Sequence, residues 1–408
     1  MTALNVLYIH HAGAFGGASR SLLELIEGFP AGTVSPRVVV QRGRAADALA
    51  ARGVDVIRTA GISQFDHTRY GHYRGRRWLL LAREAFYLPF TVAGLLRARR
   101  QWRDVDIVHV NEIVAVAPIV LAKLLFRAPL VVHVRSVQHP RHDSLRSRWI
   151  ARIVRRHADA VIAIDETVRR SLPPGMAAEV IHNSYAPRSG AAAGAAGEPL
   201  PPRTPGVLRV AMVGNLLPLK GVSEFLDAAR LVGERGCAVE FVIVGGNTRR
   251  LSGLCGGLLK ASGFARDMER EVDDYVARHG LAARVRRVPF TADIDAIYRN
   301  IDVLCFPSLL DAPGRPVFEA AHWGAPSIVA MTAPPPDTLV DGETGLCVPP
   351  GDAVALAAAI ERLSRHPEEV RRMGEAARAL ALASFDGRGN AARVLALYRR
   401  LRAGAERP

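Results

Sequence analysis

Residues Val303–Pro326 read VLCFPSLLDAPGRPVFEAAHWGAP. An apolar strand pattern, VLCFPS, runs into a short loop, Asp311-Ala312-Pro313-Gly314, and a helix opens near Arg315 and stops at Gly324. Glu319 lies one turn inside that helix, on the face of Arg315 by i, i+4 spacing. The pattern brings a loop carboxylate, helix-start N–H groups, a guanidinium and a second carboxylate to one rim. Free N–H groups at the positive end of a helix suit a phosphate, and a carboxylate can accept both hydroxyls of a ribose edge. That combination suits a nucleotide-linked substrate. From these residues alone, an ordinary strand-to-helix connection with a capping acid reads equally well.

Outward from that stretch the chain alternates. NVLYIH (Asn5–His10) is an apolar strand, followed by the turn His11-Ala12-Gly13-Ala14-Phe15-Gly16-Gly17 and the helical pattern ASRSLLELIEGF. Strand, glycine turn and helix form a βα unit whose backbone can approach a ligand. Further strands are expected at Arg37–Gln41, Val54–Arg58, Ile107–Val110, Leu130–Val134, Ala160–Ile164 and Val180–His182, with helical segments between many of them. The Ala/Gly- and Pro-rich run at 189–206 cannot build a core and reads as a linker. A second alternating series follows: VLRVAMVGN, VEFVIVGG, VRRVPF, DVLCFP and PSIVA. The expected organisation is therefore an α/β domain at 1–188, the linker, a second α/β domain at 207–385 and a terminal helix at 386–408. Residues 247–283 exceed what a βα connection needs and hold an extra helical pattern, FARDMEREVDDYVARHG.

Arg69–Arg103 breaks the rhythm. It contains WLLLAREAFYLPFTVAGLL between RYGHYRGRR and RARRQWR, with Glu84 its only acid. Arg83, Glu84 and Pro89 interrupt the run, so the segment is not expected to span a bilayer. Basic flanks (Arg74, Arg76, Arg77, Arg97, Arg99 and Arg100) around Trp78, Phe86, Tyr87 and Phe90 suit a segment lying on an anionic membrane. The competing reading is a pair of core helices with solvated arginine ends.

At 408 residues, about half of them hydrophobic, two domains with normal cores are expected. The net charge of +15 favours anionic partners. Nucleic-acid binding rests on that charge alone. Cys237, Cys255, Cys305 and Cys347 are scattered without metal-ligand spacing and read as reduced, mostly packed thiols. The N-terminus enters a strand directly, which sets an expectation of no leader and a cytoplasmic site of action. A nicotinamide dehydrogenase is disfavoured, because Gly13–Gly17 lacks G-x-G-x-x-G spacing and no acid ends the second strand, VVVQRGR.

Five stretches, in order, carry a family resemblance. They are Gly16-Gly17 before a helix, VVHVRS with His133, ADAVIAIDETVRRSL leading to VIHNSYAP with Asn183, VGNLLPLKG with Lys220, and SLLDAPGRPVFEAAHWGAPSIVA followed by TLVDGETGLCVPPGD. Together they resemble the retaining nucleotide-sugar glycosyltransferases of family 4, and the likeness covers nearly the whole chain. The resemblance implies the GT-B fold: two Rossmann-like parallel-sheet domains facing a central cleft, with the C-terminal helix returning to the N-terminal domain. It also implies transfer from a UDP- or GDP-sugar to an acceptor hydroxyl, the leaving phosphate taking the acceptor proton. Lys220 would then stabilise the leaving diphosphate, with Gly16, Gly17, Asn215, Gly314 and Arg315 around the donor. Glu319 would hold the ribose, Asp311 would face the donor sugar, and His133 would lie at the sugar's other side. No catalytic metal is implied, and the Asp-x-Asp pairs at Asp104/Asp106 and Asp293/Asp295 lie apart from the donor motifs.

Two positions depart from the family pattern. Asp311 stands where a glutamate is usual, and Asn215 where an arginine is common, with Arg315 a candidate substitute for the missing charge. With the arginine-flanked segment, the expected acceptor is a lipid-linked saccharide or surface-polysaccharide precursor at the inner face of the cytoplasmic membrane. A soluble acceptor, or a domain pair that binds nucleotide or lipid without turnover, are the alternatives.

Overall fold

The computed structural model describes residues 3–69, 71, 73–187, 200–247, 266–291 and 293–405, leaving aside the side chain of Arg76. The chain divides into two compact units, Met1–Ala186 with Phe385–Pro408, and Pro187–Ser384.

The first unit is a seven-stranded parallel sheet in the order β3-β2-β1-β4-β5-β6-β7. Its strands are β1 (Leu4–His10), β2 (Val34–Gln41), β3 (Asp55–Thr59), β4 (Ile107–Val110), β5 (Leu130–Val134), β6 (Ala160–Ala163) and β7 (Glu179–Val180). Strands such as LVVHV are buried at every position, because helices cover both faces of the sheet. Those helices include α1 (Gly17–Gly28), α2 (Arg44–Ala50), α3 (Leu80–Gln101), α4 (Val116–Leu125), α5 (Leu145–His157) and α6 (Glu166–Arg170). The expected strand Val180–His182 shortens to Glu179–Val180, since the chain turns away to pair Tyr185 with Asp386. The last helix, Gly387–Ala405, buries Val394, Leu395, Leu397 and Tyr398 in the same core cluster as β1 and α1.

The second unit is a six-stranded parallel sheet in the order β10-β9-β8-β11-β12-β13. Its strands are β8 (Leu208–Val213), β9 (Val239–Val244), β10 (Val285–Val288), β11 (Val303–Phe306), β12 (Ser327–Ala330) and β13 (Gly345–Val348). Its helices include α7 (Val222–Glu234), α8 (Met268–Arg278), α9 (Ile294–Arg299), α10 (Arg315–His322), α11 (Ala353–Arg365) and α12 (Pro367–Ser384), so the helix of the last unit-one segment is α13. Of the expected extra region, 248–265, with Cys255, lies outside the described residues; the helical pattern beyond it is α8. Of the expected linker, 189–199 also lies outside them. From Leu200 onward the linker is part of the second unit: Leu200 is buried in its core, and the Pro201 and Pro202 carbonyls accept from the buried Arg209 guanidinium.

Both sheets reverse their winding between the first strand and the one that starts the other half, β1/β4 and β8/β11. Loops leaving the carboxyl ends of those two strands diverge to opposite faces. They leave the crevice in which open α/β sheets bind ligands.

Candidate active site

In the second unit the crevice is framed by the loops after β8 and β11. After β8 the chain passes Gly214 and the exposed Asn215 and makes a 3-10 turn, Pro218–Lys220. Gly221 follows in the left-handed region (φ 77°), and a Cβ there would sit 1.8 Å from the Pro307 carbonyl oxygen, so only glycine allows this approach. The two loops are stitched by Leu309 N–H to Leu219 O at 3.0 Å and by the Ser308 hydroxyl to the same oxygen at 3.3 Å. This brings Lys220 Nζ to 4.9 Å from the Phe306 ring centroid. Burial lowers the lysine's pKa, and a partly desolvated ammonium gains most from an anionic partner.

The β11 loop ends at Gly314, the extended N-cap residue of α10, with no side chain capping the helix. Arg315 and Glu319 pair as the i, i+4 spacing requires, Nε to Oε1 at 2.9 Å. The other carboxylate oxygen accepts from the Tyr298 hydroxyl on α9 at 2.8 Å. Glu319 is 3% exposed. Two donors from two helices therefore hold one carboxylate at the start of the crevice helix. Asp311 is the only non-glycine at positive φ (52°) among the described residues, and its Oδ1 accepts Thr332 N–H at 2.7 Å, tying the loop to the chain beyond β12. An aspartate tolerates this backbone better than most side chains.

In the first unit Gly16 is the extended N-cap of α1, and a Cβ there would meet open space. His133, near the end of β5, is 3% exposed. Arg135 follows it and donates through Nε to Asn111 Oδ1 at 2.7 Å, through Nη1 to Asn183 Oδ1 at 2.7 Å and through Nη2 to His133 Nδ1 at 3.3 Å. Asn111 in turn contacts His10 Nδ1 at 2.9 Å, and His10 Nε2 lies 2.8 Å from the Ser19 hydroxyl. On the other side His133 Nδ1 is 3.3 Å from His109 Nε2, and His109 Nδ1 is 2.6 Å from the Tyr398 hydroxyl of α13. Burial, reinforced by the Arg135 charge, holds His10 and His133 well below the usual histidine range and brings His109 down to about 3. These rings are neutral at pH 7.

The aspartates of both Asp-x-Asp pairs serve the fold. Asp104 accepts from Arg37 and Asn5, Asp106 caps the Asn5 N–H, Asp293 caps α9 and Asp295 is buried. Among the described residues no group of three or more His, Cys, Asp or Glu side chains is arranged to hold a metal ion.

Sequence reading named Lys220, Asp311, Gly314, Arg315 and Glu319, and the second crevice brings these together. Gly16, Gly17 and His133 belong to the first. Tyr298, Arg135, Asn111, His109 and Tyr398 are not among the residues named there, although both nitrogens of His109 have polar partners.

Residues 16–178 match the family model described as "Glycosyl transferase 4-like domain", and residues 204–380 match "Glycosyl transferases group 1". The chain is a group 1 glycosyltransferase of the family 4 type. The MMP alpha-(1->4)-mannosyltransferase of Mycolicibacterium hassiacum is 26% identical over 75% of this chain and 72% of its own. The glycogen synthase of Mycobacterium tuberculosis is 23% identical over 76% of this chain and 72% of its own. Among solved structures, Anabaena Alr3699/HepE in complex with UDP superimposes with a TM-score of 0.71 at 20% identity, over 97% of this chain and 100% of that one. The glycosyltransferase thus has the GT-B class of fold expected from its sequence, two α/β units each built on a parallel sheet.

Proposed function

We propose that this glycosyltransferase moves a sugar, with retention and without a metal, from a nucleoside-diphosphate sugar to a hydroxyl of a lipid-linked saccharide or surface-polysaccharide precursor. It would work as a peripheral protein on the inner face of the cytoplasmic membrane. The donor assignment rests on the second crevice: Lys220 for the leaving diphosphate, the Gly314 helix start for its oxygens, Glu319 for the ribose and Asp311 with its loop beside the sugar. Charge developing on the leaving group is what a preorganised cation and N–H groups stabilise best. Both acids are tied into hydrogen bonds with protein groups, which suits holding a substrate better than serving as a hydrolase-type nucleophile and acid.

The observation that carries the membrane reading is α3. Its length and hydropathy from Arg77 to Gln101 would let it cross a membrane, yet Glu84, Thr91, Gly94, Leu95 and Ala98 are buried on one side against the first unit. Thr91 accepts Ser63 N–H at 2.8 Å and Glu84 accepts Gln64 N–H at 2.8 Å, so the helix is docked. Phe86, Leu88, Phe90 and Leu96 are exposed along the helix, with Trp78 and Leu79 just before it. Arg74, Arg97 and Arg100 are exposed at its two ends, and Arg99 reaches the Leu125 carbonyl at 3.0 Å. Exposed apolar side chains between two basic ends suit an anionic bilayer surface, where each basic side chain contributes about 1 kcal/mol.

Vesicle co-sedimentation tests this. Binding is expected to rise with the fraction of anionic lipid and to fall with salt, because screening confines the attraction to roughly 8 Å at physiological ionic strength. Replacing Arg74, Arg76, Arg77, Arg97, Arg99 and Arg100 by glutamine is expected to release the protein while it stays folded. Wild type that ignores anionic vesicles at low salt overturns the membrane reading and makes a soluble acceptor the better assignment.

A further inference from the structure

Three strand ends of the second unit meet at one loop. In the sheet β11 lies between β8 and β12. The chain leaving β11 is tied on one side to the β8 loop, through Ser308 and Leu309 to Leu219 O. On the other side Asp311 Oδ1 accepts the Thr332 N–H at 2.7 Å. Thr332 is itself well anchored. It follows Met331, whose N–H donates to Val348 O of β13 at 2.9 Å, so its amide stands at the firm end of the sheet. Three residues beyond Asp311, Gly314 lies against the Phe306 side chain, where a Cβ would be 2.4 Å from ring atom Cζ. Lys220 Nζ stands 4.9 Å from the centroid of that same ring. A displaced loop would therefore move the start of α10 and the surroundings of Lys220 together.

Two independent observations bear on the residue at 311. Its backbone has φ 52°, a conformation that aspartate and asparagine adopt more readily than glutamate. Its side chain also has no length to spare. A glutamate carboxylate would stand about 1.5 Å further from the backbone, and the loop would have to shift to keep the Thr332 bond. Neither observation calls for a charge, since the oxygen of an amide accepts an N–H as well.

We propose that Asp311 is a positioning residue, which latches the β11 loop to the chain beyond β12 and so sets the helix start at Gly314 and Arg315. The latch is what aspartate serves here in place of the glutamate usual at this position. This role rests on the donor assignment in the functional reading above, and adds how the helix start is held. It separates cleanly from a contact with the transferred sugar. A side chain that acted through such a contact alone would leave the binding of a nucleoside diphosphate untouched, because that ligand lacks the sugar. A latch that holds the helix start would not.

Two measurements test this, one of the latch and one of its consequence. The first is hydrogen exchange at the Thr332 amide in the full chain labelled with 15N-threonine, its signal assigned by loss in Thr332→Ser. Asp311→Gly keeps the left-handed backbone accessible and removes the acceptor. Exchange in that variant and in Asp311→Glu is expected to be about ten-fold or more faster than in wild type. Asp311→Asn is expected to exchange more slowly than either. Should Asp311→Gly not fold by circular dichroism, Asp311→Glu carries the comparison. A Thr332 amide that exchanges equally fast in wild type and in these two variants overturns the latch.

The second is calorimetric titration of the same proteins with UDP, GDP and ADP. For the nucleotide that wild type binds best, Asp311→Gly and Asp311→Glu are each expected to raise the Kd about ten-fold, and Asp311→Asn is expected to bind more tightly than both. An unchanged Kd in Asp311→Gly and Asp311→Glu overturns the positioning role, as does an Asp311→Glu that binds more tightly than Asp311→Asn. Wild type that binds none of the three nucleotides, with its Thr332 amide protected, overturns the donor assignment and the positioning role with it, and leaves the latch standing.

Discussion

The two crevices lie at the same place in two sheets of the same winding, yet they are furnished in opposite ways. The second holds its chemistry in charged groups, Lys220, Arg315, Glu319 and Asp311, carried by two loops that touch each other directly. The first holds a single guanidinium among neutral histidines, tyrosines and amides drawn from β1, β4, β5, the segment after β7 and α13. Burial accounts for part of the contrast. A charge kept inside must be matched or met by a ligand, and in the proposed function the second crevice receives a diphosphate. In the first, burial keeps the imidazoles of His10, His109 and His133 neutral, while the partly buried Arg135 carries the charge.

The largest effect should come from breaking the charged side. Lys220→Ala is expected to lower the transfer rate on the order of 10²-fold or more, as removal of a leaving-group stabiliser does elsewhere. Glu319→Ala is expected to abolish transfer and weaken nucleotide affinity too. Steady-state kinetics with far-ultraviolet circular dichroism as a fold control checks both, and full activity in either folded variant contradicts the assignment.

Acid should strike the neutral side. His10, His109 and His133 have folded pKa values below the ordinary 6.5, and His11 is brought down to about 4 by burial. The unfolded chain therefore binds more protons than the folded one below pH 6.5, and stability falls with pH. Each such group costs about 1 kcal/mol between pH 7.5 and 5.5, while Glu112, whose pKa burial raises, opposes them. Urea unfolding at the two pH values is expected to show a lower midpoint at pH 5.5. With Trp323 replaced by Phe the remaining tryptophans, Trp78, Trp102 and Trp149, all report on the first unit, and an unchanged midpoint in that variant would remove the contrast.

A smaller effect sharpens the charged side. The Tyr298 hydroxyl donates to Glu319 Oε2 at 2.8 Å, and hydrogen bonds to charged groups contribute roughly 1.5–3 kcal/mol. Tyr298→Phe is expected to raise the Kd for the nucleotide about ten-fold, with kcat little changed. An unaltered Kd would show that the Tyr298 bond is not needed to hold the carboxylate in place.

The contrast also explains what could be read from the sequence. Alternating apolar runs and glycine turns gave both parallel sheets, since each strand is buried on two faces and each helix on one. Asp311, Gly314, Arg315 and Glu319 span nine consecutive positions, so local spacing alone puts them on one rim. Tyr298 escaped because its partner lies 21 residues on and its hydroxyl is invisible to an apolar pattern, in which it reads as core. The network of the first crevice joins residues as far apart as His109 and Tyr398, 289 positions away. Nothing local marks such a pair, and a histidine inside IVHV looks like any buried ring. Strand ends were least legible where the chain leaves the sheet for a distant contact, as at Ile181–Tyr185.

The central claim is that the second crevice holds a nucleoside diphosphate by its ribose and phosphates. It is tested most directly by calorimetric titration of wild type and Glu319→Ala with UDP, GDP and ADP, each beside its 2′-deoxy and 3′-deoxy forms. Wild type is expected to prefer one ribonucleotide over its deoxy forms by about ten-fold or more, and Glu319→Ala to bind all three forms of that nucleotide equally weakly. Wild type that binds ribo- and deoxy-forms alike, or a Glu319→Ala variant that keeps the full preference, would contradict it.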